Sequence, residues 1–125
     1  MNTLVLLVEG GSAWSPETWA TEHGGVRSVD GLIMIEREAE WLSVVRDDQV
    51  LDDFDEQERG RLAKLVTEPT TYLVEWKGTA LVESLLRSVP PKTRAAIDND
   101  HGLIVPIHEI ADEPLDSWIR ASRLP

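Results

Sequence analysis

Apolar positions in this chain fall into short continuous runs and helical repeats, each fenced by glycine, proline or charge. Leu4-Val-Leu-Leu-Val8, closed by Glu9-Gly10-Gly11, reads as a buried strand. Ser15-Pro16-Glu17 opens a short helix, with serine as N-cap and proline at the first helical position, and His23-Gly24-Gly25 closes it. Asp30-Gly31 is a turn signal before a second strand, Leu32–Ile35. Trp41–Val45 reads as a third strand. The charged link Glu36–Glu40 is then a hairpin connection, although a helix from Glu36 to Val45 fits the same residues. A helix over Asp55–Val66 buries Phe54, Leu62, Leu65 and Val66.

Farther on, Thr71–Trp76 alternates in the strand sense, with Tyr72, Val74 and Trp76 on one face. After Gly78-Thr79, Leu81, Leu85 and Val89 recur every four residues beside Val82 and Leu86, and Pro90-Pro91 ends that helix. Ala95–Ile97 and Leu103–Ile107 flank Asp98-Asn99-Asp100-His101-Gly102, a hairpin signal. Leu115, Trp118 and Ile119 mark a last short helix. Strands grouped as hairpins with helices between them predict one α+β domain over residues 1–125. Its mostly antiparallel sheet is expected to carry helices packed on one face. Trp41 and Trp76, in strand patterns, are expected in the core. Trp14, Trp19 and Trp118 stand in short peripheral elements and are expected as core or lid residues, with partial exposure as the alternative.

Charge changes this picture more than composition does. Between Asp47 and Glu58 stand seven carboxylates and no base: Asp47, Asp48, Asp52, Asp53, Asp55, Glu56 and Glu58. They account for most of the net charge of −11, leaving 16 acids against 12 bases elsewhere. Such a run repels itself and attracts cations. Asp47, Asp48, Asp52, Asp53, Asp55 and Glu56 are therefore the candidate partner-binding residues, with Trp14 as a candidate aromatic anchor. Binding nucleic acid needs clustered lysine and arginine, and here the bases are scattered, so neither nucleic acid nor an anionic membrane is an expected ligand. With no cysteine, disulfides, thiolate metal sites and thiol catalysis are excluded. Thr3–Val8 lacks the basic flank and length of a signal peptide, which predicts a cytoplasmic protein.

Candidate chemistry is sparse. There is no nucleophile elbow, no phosphate-cradling loop and no dinucleotide fingerprint, and no cofactor is expected. The hairpin Asp98–His101 is the alternative centre, for a divalent metal or a small hydrolase. Asp98, Asp100 and Glu109 match positions of a calcium loop, but Leu103 stands where that loop requires glycine. His108-Glu109 lacks a second histidine four residues on.

Tyr72-Leu-Val-Glu-Trp76 with its Leu-rich helix, followed by Ile97-Asp98-Asn99-Asp100-His101-Gly102 and a short strand, resembles small bacterial immunity-type proteins. These accompany secreted polymorphic toxins of type VI or contact-dependent systems. The similarity spans roughly Trp41 to Ile110. It implies a non-enzymatic inhibitor that binds a cognate toxin domain, at or beside its active site. A basic toxin cleft would complement the acidic run.

Overall fold

A computed structural model of the chain describes residues 2–66, 68–98 and 104–106. The strands are β1 (Asn2–Val8), β2 (Val26–Arg27), β3 (Ile33–Arg37), β4 (Glu40–Arg46), β5 (Thr70–Lys77), β6 (Ala95–Asp98) and β7 (Ile104–Pro106). The helices are α1 (Pro16–Glu22), α2 (Glu56–Leu65) and α3 (Ala80–Arg87), with a 3-10 segment over Asp48–Asp53. The seven strands form one sheet in the order β2-β3-β4-β5-β1-β6-β7, with every neighbouring pair antiparallel. This is the α+β class that the patterning predicts. Trp41–Val45 belongs to strand β4, paired with β3 through a tight turn, so no helix runs from Glu36 to Val45. The expected final helix around Leu115, Trp118 and Ile119 lies outside the described residues.

Local signals explain where the helices start. The Ser15 hydroxyl accepts the Thr18 amide at 3.1 Å and Pro16 follows as the first helical residue, which fixes the entry into α1. At its other end, His23 stacks on Trp19 with ring centroids 4.3 Å apart, and its Nδ1 donates to the Trp19 carbonyl. Thr79 makes no side-chain cap for α3. Instead the Glu40 carboxylate, reaching from the start of β4, accepts the Ala80 amide at 3.0 Å. A residue distant in sequence thus does the capping, and its charge suits a helix N-terminus.

The sheet is apolar on both sides, and helices lie on both. Leu4, Leu6 and Val8 of β1 face one way, with Leu42, Val74, Trp76 and Ile97, and are covered by α1 and α3. Val5 and Leu7 face the other way, with Ala96, and are covered by Phe54, Leu62 and Val66 at and along α2. The expectation of helices on a single face is corrected accordingly. A central strand apolar at consecutive positions needs a layer on each side.

The tryptophans among the described residues follow expectation except at Trp41. Trp76 is buried as predicted, and Trp19 joins the core from α1. Trp41 is only partly buried. By strand alternation it shares the α2 face, but over β4, where Met34 and Val45 are also half-covered.

Candidate functional site

The acidic segment begins where β4 ends, and its root is tied to the sheet. The Asp47 amide donates to the Thr71 carbonyl at 3.0 Å, and the Thr71 hydroxyl donates to the Asp47 carbonyl. The Asp47 carboxylate in turn accepts the Gln49 amide at 3.0 Å and so turns the chain into the 3-10 segment. Asp48 accepts from Arg46 Nε at 3.0 Å in an exposed pair. That hydrogen bond first, and then the charge of Asp48, raise the Arg46 pKa above its ordinary value. Phe54 is buried among Leu62 and Val66 and anchors the far end of the segment. The first α2 hydrogen bond runs from the Arg59 amide to the Asp55 carbonyl, placing Asp55 and Glu56 at the positive end of the helix.

The structure thus divides the predicted residues. Asp47 has a structural task in its turn, and Asp48 is shared with Arg46. Asp52, Asp55 and Glu56 present exposed positions on the same short ledge. The side chain of Asp53 lies outside the described residues. Trp14 does not join this group. It is partly buried against the cluster under α1 and α3, on the sheet face opposite α2, and its amide donates to Ser12 Oγ at 3.2 Å.

Beside the ledge, α2 and the chain entering β5 enclose a cleft of about 360 Å³, lined by Asp52, Arg59, Leu62, Ala63, Val66, Glu68 and Pro69. Arg59 Nε donates to the Phe54 carbonyl at 3.1 Å, drawing that guanidinium back along the helix. Glu68 adopts φ 45°, in the left-handed region that side chains rarely occupy. The Glu68 carbonyl packs closely on Gly10, where a Cβ would stand 2.8 Å from its oxygen. Composition gives no signal for this cleft. Pro69 even argues for extended backbone at residue 68.

Tyr72 closes the other side of the β4 end. Burial is the main cause raising its pKa, the Glu17 carboxylate adds to it, and Arg46 opposes. A phenol whose pKa is raised by folding contributes stability below the unfolded value, near 10, and loses it as pH climbs through the folded value. The chain is therefore expected to lose stability above about pH 10. Tyr72→Phe is expected to decline less steeply in urea titrations at pH 9 to 11, and identical slopes would count against the burial of this hydroxyl.

Of the alternative hairpin, Asp98 is buried at the end of β6, where it pairs in register with Val5 and Ile104. Residues 99–103 lie outside the described residues. Among the described residues, no group of three His, Asp or Glu side chains could hold a metal ion, and no helix is long and apolar enough to cross a membrane. No protein-family model, curated protein or solved structure matches the chain.

Proposed function

We propose that this chain is a non-enzymatic binding protein of the immunity type, which neutralises a cognate bacterial toxin in the cytoplasm by covering a basic surface. The observation that carries this reading is the ledge of exposed Asp52, Asp55 and Glu56, with Asp52 held between the Thr71 staple and the buried Phe54, and Asp55 and Glu56 following it at the start of α2. A charged segment already ordered gives up less conformational freedom on binding. Carboxylates fixed in this way form charge-assisted hydrogen bonds with lysine and arginine, and set the orientation of the partner. The sequence resemblance to immunity proteins points the same way, and the protein needs no cofactor for such a role.

The test is affinity capture from the source cells at low and moderate salt, using the native chain and a triple variant, Asp48→Asn, Asp55→Asn and Glu56→Gln. These neutral replacements keep size, and asparagine retains helix-capping ability. The expected result is one stoichiometric basic partner, held by the native chain at moderate salt and lost by the variant. Expressed alone that partner should be toxic, and co-expression of the native chain should abolish the toxicity. Equal capture by both proteins would remove Asp48, Asp55 and Glu56 from the mechanism. A diffuse set of basic proteins released at moderate salt would remove the specific inhibitor.

A further inference from the structure

We infer that the cleft on α2 is the apolar half of the partner-binding surface. It receives one large aliphatic side chain, flanked by lysine or arginine, from the basic partner, and Asp52 and Glu68 pair with the flanking cations. This rests on the basic-partner reading above and names the feature of the partner that the site selects.

The lining carries the argument. Leu62, Ala63, Val66 and Pro69 supply apolar walls, and carboxylates stand at residues 52 and 68. At about 360 Å³ the open cleft has room for a large aliphatic side chain together with the backbone on either side of it. Arg59 also lines it, but its Nε is engaged with the Phe54 carbonyl, and the neighbouring Asp55 and Glu56 keep the local balance negative. An aliphatic group carrying adjacent cations is therefore complementary in both shape and charge.

The backbone at Glu68 adds a separate observation. At the other positive-φ positions among the described residues the chain uses glycine: Gly11, Gly24, Gly31 and Gly78. At residue 68 it keeps an exposed glutamate in a conformation that glycine would adopt without strain. The Glu68 carbonyl lies close against Gly10, where a Cβ would stand 2.8 Å from it. An exposed side chain retained against backbone preference, at the mouth of an apolar cleft, is best explained by a contact outside the fold.

The test titrates the full chain with the amidated peptide acetyl-Arg-Lys-Leu-Lys-Arg and with the same peptide carrying serine for leucine, followed by amide NMR. The leucine peptide is expected to shift Ala63, Val66 and Glu68 and to bind about tenfold more tightly than the serine peptide. Glu68→Gly is expected to raise the melting temperature while weakening the leucine peptide about threefold. Ala63→Trp, at an exposed helical position, is expected to fill the cleft and abolish the preference for leucine. Equal affinity for the two peptides, or silence at residues 62–68, would overturn the proposal. So would a lower melting temperature for Glu68→Gly. Shifts confined to Asp52–Glu56 with both peptides would remove the cleft and leave the acidic ledge standing. The capture variants lie outside the cleft lining, so the basic-partner reading fails or survives independently.

Discussion

Reversing Asp52 and Glu56 together to lysine is expected to slow association with the captured partner by about a hundredfold at low salt. Both positions are exposed on the ledge, and the double variant turns two attractive charges into two repulsive ones. The loss should be mainly in the association rate, since long-range steering acts before contact is made. It should shrink as salt rises, because the screening length falls to about 8 Å at physiological ionic strength. Lysine at the start of α2 opposes the helix dipole and is expected to cost about 0.3–1 kcal/mol of stability, too little to unfold the chain. The control is the same change of net charge at Glu22 and Glu38, which are exposed but lie in α1 and the β3–β4 turn. Stopped-flow association should separate the two variants. If both slow binding equally, net charge is responsible and the ledge has no special role.

Trp76→Ala is expected to be the most damaging single change in the core, at about 3–5 kcal/mol. Trp76 is 1% exposed and is the largest of the fully buried side chains. It sits in β5 opposite Asn2 of β1 and Leu42 of β4, so both central pairings lean on it. Its indole N–H has no hydrogen-bond partner among the described residues. An unsatisfied buried donor costs about 1–3 kcal/mol. Trp76→Phe removes that donor while keeping much of the ring, so its expected loss is under about 1.5 kcal/mol. Urea unfolding of the two variants measures the difference. A phenylalanine variant as unstable as the alanine one would mean that the N–H is satisfied after all.

Much of this architecture is legible in the residues because local and global preferences agree. The continuous run Leu4–Val8, the alternation around Tyr72–Trp76 and the four-residue repeat of Leu81, Leu85 and Val89 each lead to the element observed. What patterning misses is set by tertiary contacts. Strand β2 is two exposed residues, Val26 and Arg27, with no apolar alternation to announce it. The second helical layer was implicit in β1 itself, since Val5 and Leu7 need cover as much as Leu4 and Leu6 do. Charge density located the acidic ledge, but not the division of labour within it. That Asp47 serves a turn and Asp48 an ion pair depends on Thr71 and Arg46, which only folding brings into position. Glu68 is less legible still: nothing in the local residues announces its positive φ or its close packing on Gly10, 58 residues earlier in the chain.

The place of β1 in the sheet has a further consequence, for the order of events during synthesis. This strand lies between β5 and β6, so its partners begin at Thr70 and Ala95. A ribosome adding roughly 5–20 residues per second leaves Leu4–Val8 without either neighbour for several seconds. The hairpin of β3 and β4 can close in the meantime, but it gains its place in the sheet only when β5 emerges and bridges it to β1. Folding that waits on such distant pairings is slow for a domain of this size, and its most apolar segment is the one exposed longest. Nascent chains stalled before Thr70 should therefore be the ones that recruit holdase chaperones, and chains extended beyond Asp98 should release them.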